Sequence, residues 1–169
     1  LFGPYPFQDE KYGHCMAPIS GGMEHQTMTT QGFFEKKLTT HELCHQWWGD
    51  NVTCASWADI WLNEGFATFM ERVWIENNLG DYGTKENALN EARYYSYMDL
   101  KEYQEDDAQR YRRPIVCNTY IEPIDLFDTH LYQKGGLVLN LVRHLLGEEG
   151  FWKSIQTYLT RHRGQNVET

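Results

Sequence analysis

The chain has 169 residues, 41% of them hydrophobic and 15% aromatic, which is enough to bury the core of one domain. Its 24 acidic residues outnumber the 15 basic ones, and the net charge of -9 argues against a nucleic-acid partner because phosphate-binding surfaces need clustered Lys and Arg. No apolar run approaches the roughly 20 residues of a membrane-crossing helix, so we expect no transmembrane segment in this chain.

Helical patterns dominate the chain after an irregular start. A loosely alternating stretch from about Met23 to Thr30 predicts one edge strand, and the residues around Pro114 are expected to be extended. Gly147 is expected to separate the last two helical segments. Apolar spacing predicts helices over residues 34–48, 63–78, 84–103, 128–146 and 151–161. We therefore predict a mainly α fold with a small β edge.

Neither repeats nor a flexible linker divide the chain, so a single domain over residues 1–169 is expected. The cysteines are widely spaced and form no Cys-x-x-Cys pair, which disfavours both a disulfide scaffold and a cysteine-rich zinc module. We expect most of them to be free thiols packed as small apolar residues: Cys15, Cys44, Cys54 and Cys117.

The strongest chemical signal is His41-Glu-Leu-Cys-His45, which falls inside the first predicted helix. Residues four apart project from the same helix face, so the two imidazoles can bind one metal ion. Zinc suits them because it accepts nitrogen ligands and can leave one position open to water. The carboxylate of Glu42 can then reach that water and act as a general base.

A catalytic zinc normally takes three protein ligands, so this motif predicts a further one. The second predicted helix offers Glu64, separated from His45 by eighteen residues. That gap lets the chain turn after Gly49-Asp50 and return a second helix against the first. The sequence therefore predicts one Zn2+ per chain, bound by His41, His45 and Glu64.

These residues resemble a known family. His41-Glu-Leu-Cys-His-Gln-Trp-Trp-Gly-Asp50, followed by Trp57-Ala-Asp-Ile-Trp-Leu-Asn-Glu-Gly-Phe-Ala67, is similar to the aminopeptidase N family of zinc metallopeptidases. The resemblance implies a thermolysin-like catalytic domain whose substrates are peptides with a free N-terminus.

An upstream segment extends this resemblance. Gly21-Gly22-Met23-Glu24-His25 is similar to the family's Gly-x-Met-Glu-Asn motif, whose Glu holds the α-amino group of the substrate. The resemblance implies that Glu24 has this role and that its neighbours Gly21, Gly22, Met23 and His25 belong to the substrate-binding segment. His25 departs from the family's Asn, so which substrate contacts it makes stays open.

A downstream segment supplies the last candidate. Tyr132-Gln-Lys-Gly-Gly136 resembles the family's Tyr-x-Lys-Gly-Ala segment, whose Tyr hydroxyl stabilises the oxyanion formed when water attacks the peptide carbonyl. The resemblance implies that role for Tyr132, since a phenol can donate a hydrogen bond to developing negative charge. Lys134 and the two glycines are assigned to helix packing.

Other polar residues are left without a catalytic role. Asp59 either orients a zinc-bound histidine or is a carboxylate at a helix start. The acidic run 102–107 is expected to be a solvated helix end. The remaining histidines lack ligand spacing and are expected to be structural: His14, His130, His144 and His162.

The resemblance spans nearly the whole chain, from Phe2-Gly-Pro-Tyr-Pro-Phe7 to Asn166-Val-Glu-Thr169, where the family sequence would continue. It implies an incomplete catalytic domain. Family members carry a β-rich domain before this region, which adds an acidic contact to the substrate amino group, and a helical domain after it. These flanking domains are the expected partners of the chain.

Two alternatives stay open. The same machinery could perform another hydrolysis, as an endopeptidase or, as in a related branch of the family, as an epoxide hydrolase. The chain could also be an inactive binding module in which zinc only joins two helices. Glu24 favours an aminopeptidase, and the presence of Glu42 and Tyr132 weighs against an inactive module.

Overall fold

Helices form most of the regular structure in the computed structural model, which describes all 169 residues. Gly147 interrupts the last helix with non-helical φ 71° and ψ 164°, which confirms the predicted break. Short 3₁₀ turns occupy residues 57–59 and 123–126. The helices are α1 Lys36–Cys44, α2 Trp61–Asn77, α3 Leu79–Tyr82, α4 Lys85–Gln109 and α5 Gln133–Arg161.

The β structure is small, and its larger sheet lies beside α1. β3 (Met28–Gln31) is the central strand of a three-stranded sheet, with β1 (Gly13–Met16) parallel on one side and β2 (Gly22–Met23) antiparallel on the other. The prediction of one edge strand over 23–30 was therefore wrong. Thr27 adopts a left-handed φ of 62°, which breaks the alternating stretch into two strands. A second pair, β4 (Thr53–Cys54) and β5 (Asn166–Val167), is parallel.

Helix α2 lies at the centre of the domain and packs against α1, α4 and α5. Its residues are buried nearly all round, as expected of a helix enclosed by others. The core beside it is aromatic: the Trp48 and Phe66 rings stack with centroids 3.4 Å apart, and Phe69 meets Phe151 edge-on at 5.5 Å. The fold is mainly α with a small β component, as predicted.

Some helix ends differ from the predicted ones. Helix α1 is capped by Glu35, whose carboxylate accepts hydrogen bonds from the Lys37 and Leu38 amides, and it ends at Cys44 rather than at residue 48. The chain continues as tight turns, in which the Gln46 amide donates to the Leu43 carbonyl. Helix α4 runs to residue 109 instead of 103, and α5 begins five residues later than predicted, at 133 rather than 128.

The acidic run 102–107 is less solvated than predicted. Asp107 contacts buried His130 at 3.2 Å, and Asp106 accepts a hydrogen bond from Thr129. These contacts hold the end of α4 against the segment before α5. His130 is 1% exposed, and His14 bonds Gln31, so both are structural as expected.

All four cysteines are free, where the prediction was that most of them are. Cys44 and Cys117 are buried, whereas Cys54 is half-buried and Cys15 is exposed, so only part of the set packs as apolar residues. None of the helices combines the length and apolarity that crossing a bilayer requires.

Helices α2 and α5 approach each other closely where Gly65 faces Gly135. A Cβ added at Gly135 would lie 2.9 Å from the Gly65 Cα, a backbone atom that cannot move aside as a flexible side chain would. We expect Gly135→Ala to destabilise the domain by about 1–3 kcal/mol, measured by urea unfolding. Gly150→Ala is the control, because its Cβ would meet only Leu146 at 3.7 Å. Unchanged stability in Gly135→Ala would contradict this packing.

Candidate active site

The three predicted metal ligands come together where α1 meets α2. The Nε2 atoms of His41 and His45 lie 3.1 Å and 3.3 Å from the same Glu64 carboxylate oxygen. One ligand atom from each residue lies within 4.8 Å of the other two. His45 follows the last residue of α1 but keeps helical angles, φ -60° and ψ -21°, so the i, i+4 arrangement of the motif persists.

The other ring nitrogen of each histidine is held by a partner outside this triad. His41 Nδ1 lies 3.0 Å from a carboxylate oxygen of Glu71, and His45 Nδ1 lies 2.9 Å from the Trp48 carbonyl oxygen. Since an Nδ1–H donates to each of these acceptors, both Nε2 atoms are left to face Glu64. Histidine ligands of metals are oriented by contacts of this kind.

Burial and neighbouring charges shift the pKa values of His41, His45 and Glu64. Burial alone would raise the pKa of Glu64, but the adjacent imidazoles of His45 and His41 lower it below its usual range. Burial alone would lower the pKa of His41, yet hydrogen bonds to Glu64 and Glu71 raise it to about 8. The contacts of Glu64 likewise outweigh burial at His45 and raise its pKa. Glu64 therefore stays ionised, which is the form of a carboxylate that can bind a metal ion.

Glu42 lies beside the triad and is 4% exposed. Burial raises its pKa to about 7, with His41 and His45 opposing the shift and Glu24 adding to it. The backbone of Gly22 lies against its side chain: a Cβ there would be 2.8 Å from Glu42 Cγ and nearer still to the carboxylate. Glycine at this position thus leaves room for the Glu42 side chain.

A cavity of about 420 Å³ connects these groups with Glu24 and Tyr132. Glu24 is half-buried, and its carboxylate lies within 4.8 Å of ligand atoms of Glu42 and His45. Gly21 and Gly22 also line the cavity, whereas Met23 and His25 are exposed and do not. The structure therefore brings part of the predicted substrate segment to the site.

Tyr132 lies immediately before α5, with its ring centroid 6.1 Å from that of His41. Burial, with the nearby carboxylates of Glu64, Glu24 and Glu42, raises its pKa well above the usual range, so the phenol is protonated at neutral pH. Its hydroxyl makes no hydrogen bond within the chain, which is unusual for a half-buried tyrosine. The O–H is free to donate to a group in the cavity.

Glu71 was not predicted as a site residue. For Asp59, the interpretation that it orients a zinc-bound histidine was wrong. Glu71 follows Glu64 by two helical turns, a spacing that could have indicated a carboxylate on the same face of α2. Asp59 contacts neither histidine: its carboxylate accepts hydrogen bonds from Ser56 and from the backbone and side chain of Thr169. Asp59 is therefore a structural carboxylate near a helix start.

Two histidines and one glutamate around a cavity, with a second glutamate beside them, are typical of a mononuclear zinc peptidase. Comparison with known proteins agrees with this class. The sequence pattern of the peptidase family M1 domain matches residues 23–169. Human glutamyl aminopeptidase is 34% identical over 134 residues, a match that covers 78% of this chain and 13% of that protein.

Comparison with solved structures supports the same family. An M1 zinc metallopeptidase from Deinococcus radiodurans is 32% identical, with a TM-score of 0.76 over 99% of this chain and 35% of the other. Leukotriene A4 hydrolase from Saccharomyces cerevisiae is 25% identical, with a TM-score of 0.79 over 94% of this chain and 27% of the other. The chain belongs to peptidase family M1, and it spans only a minor part of these relatives.

Proposed function

We propose that the chain is the catalytic core of a zinc aminopeptidase, which hydrolyses the peptide bond after the N-terminal residue of a peptide. One observation carries the proposal: the candidate metal ligands, Glu24, Glu42 and Tyr132 all line a single cavity. The family and its zinc metallopeptidase and aminopeptidase members support the same function.

The donor set fits one Zn2+, because zinc takes imidazole nitrogen and carboxylate oxygen and these atoms already converge. His41, His45 and Glu64 would hold it, with Glu71 and the Trp48 carbonyl fixing the imidazoles. When bound, zinc lowers the pKa of water and polarises the scissile carbonyl. Side chains of this protein would carry out the proton transfers and stabilise the oxyanion.

Glu42 would act as the general base and acid. Its buried carboxylate takes a proton from the attacking water and passes it to the leaving amine. In the metal-free site burial raises the pKa of Glu42 to about 7, and a zinc ion beside the carboxylate would lower it from there. Tyr132 would donate its free O–H to the oxyanion that forms on the substrate carbonyl.

Glu24 would set the exopeptidase specificity. A carboxylate beside the reacting centre pairs with an α-ammonium group through charge-assisted hydrogen bonds. A chain that enters by its interior has no such group and leaves Glu24 desolvated without a partner. Glu24 therefore favours peptides that present a free N-terminus.

The test compares one peptide with its N-acetylated form. Acetylation removes the ammonium charge and should abolish cleavage, while release of the first residue from the free peptide defines the reaction. Glu24→Gln should lower the rate for the free peptide and leave metal content unchanged. Equal cleavage of both peptides would identify an endopeptidase and overturn the proposal.

A second candidate follows from the likeness to yeast leukotriene A4 hydrolase. The same base and water could open the epoxide of a fatty acid, which has no amino group for Glu24 to bind. A fatty-acid epoxide should therefore be hydrolysed poorly if at all. Hydrolysis faster than that of the free peptide would favour this candidate instead.

Replacing Glu71 tests how the zinc ligand His41 is oriented. Glu71→Gln removes the negative charge beside His41 Nδ1 and weakens contacts with Lys37 and Arg72. We expect zinc affinity to fall about 10- to 100-fold, measured by competition with a chelator. Glu76→Gln is the control, since Glu76 lies on the same helix but pairs with Arg143. Equal affinities in both variants would rule out this role.

A further inference from the structure

Gln46, the residue after His45, has a buried side chain whose hydrogen-bonding capacity is fully used. It is 0% exposed. Its Nε2 donates to the Glu24 carbonyl oxygen at 3.3 Å and to Asp50 Oδ2 at 2.8 Å. Its Oε1 accepts from the Thr27 amide at 2.9 Å and from the Tyr5 hydroxyl at 3.1 Å. A primary amide has two donors and about two acceptor sites, so none is left over.

Two of these four contacts hold the turn that follows the candidate amine-binding residue. Thr27 has φ 62°, and it is the only residue other than glycine with a positive φ. A β-branched residue is disfavoured in this region, so the conformation persists only where surrounding contacts impose it. The hydrogen bond from the Thr27 amide to Gln46 is such a contact, and the Met28 amide closes the turn on the His25 carbonyl at 2.9 Å.

The chemistry of the amide suits this position. The Gln46 side chain donates a hydrogen bond to the Glu24 carbonyl oxygen and accepts one from the Thr27 amide, and it carries no charge. A Lys or Arg here would place a positive charge beside Asp50, whereas a carboxylate would repel Asp50. A neutral group that both donates and accepts fixes the turn and leaves the negative charge of Glu24 for a ligand.

We propose that Gln46 is a positioning residue for recognition of the substrate amino group: it holds the turn 24–27 so that the Glu24 carboxylate lies in the cavity. This inference rests on the proposed aminopeptidase function. It assigns Gln46 no contact with the substrate, and its effect passes entirely through Glu24.

The first test measures backbone hydrogen exchange and needs neither metal nor activity. Gln46→Met keeps the side-chain length and removes the hydrogen bonds, so the Thr27 amide should exchange at least about tenfold faster while amides in α2 are unchanged. Gln26→Met is the matched control, because Gln26 is exposed in the same turn and its side chain forms no hydrogen bond. Unchanged exchange at Thr27 would overturn the inference.

The second test is a double-mutant cycle with Glu24. Gln46→Met should lower kcat/KM for a free-amine peptide about 10- to 100-fold in the wild-type background, because a small misplacement of the anchor misorients the substrate. In a Glu24→Gln background the same change should cost less than about twofold, because the anchor is already lost. An equal loss in both backgrounds would show a general structural role and contradict the proposal.

A second variant is used if Gln46→Met does not fold. If Gln46→Met shows no cooperative unfolding, Gln46→Glu takes its place in the second test, because it loses the donor to Glu24; it keeps the acceptor for Thr27, so it should leave exchange at the Thr27 amide near the wild-type rate. If the wild type cleaves no peptide, the proposed function fails and the role of Gln46 in substrate recognition fails with it. Exchange at Thr27 would then still report whether Gln46 holds the turn, so the two failures are distinguishable.

Discussion

Glu42→Gln is expected to lower kcat for a free-amine peptide by about 10²- to 10⁴-fold while metal content and unfolding free energy stay close to wild type. Glutamine has the same shape and is accepted beside Gly22, but it cannot take a proton from water. Burial is the main cause of the raised pKa of Glu42 in the metal-free site, and a carboxylate buried beside the candidate metal ligands is placed to take that proton.

The control for this variant is Glu86→Gln, an exposed glutamate in the first turn of α4 that is remote from the site. It should retain wild-type kcat. Equal, background-level activity in wild type and Glu42→Gln would support the inactive zinc-stabilised module. Strong activity in both would mean that another group serves as the base.

Tyr132→Phe is expected to lower kcat by about 10²- to 10³-fold, equivalent to about 2.7–4 kcal/mol of transition-state stabilisation, with little change in KM. The substitution keeps the ring that packs beside Phe127 and His41 and removes only the hydroxyl. Because that hydroxyl has no partner within the chain, its removal leaves no other group unsatisfied, so the fold should be unaffected.

Tyr97→Phe is the matched control, because Tyr97 is 61% exposed on α4. Steady-state kinetics of both variants on one peptide would separate kcat from KM. A loss confined to KM would show that Tyr132 binds substrate without favouring the transition state. A change of less than about threefold in kcat would exclude oxyanion stabilisation by this residue.

The proximity of the candidate metal ligands could be predicted from the sequence because His41 and His45 share a helix face by a local rule of helix geometry. The rule holds even though α1 ends before His45, since that residue keeps helical angles. Glu64 was predicted as a ligand because the eighteen residues between it and His45 let a second helix return against the first. These predictions depend on residues close in sequence or on a recognisable motif.

The supporting contacts could not be predicted in the same way. Gln46 reaches Thr27 across 19 residues, and Glu71 reaches His41 across 30, so each contact depends on how elements pack in three dimensions. The alternating pattern around residues 23–30 concealed the left-handed turn at Thr27, because no glycine marks it. β1 was missed for a related reason, since its pairing with β3 joins residues 15 apart along the chain.

The most direct test of the proposed zinc site is the zinc content of the purified chain, measured by elemental analysis for wild type and Glu64→Ala together. Glu64 contacts both imidazoles, so its loss should remove one ligand and the charge that balances the others. We predict about one zinc per wild-type chain and little or none in the variant. Zinc absent from the wild type after refolding with added metal, or bound equally by both proteins, would contradict the three-ligand site.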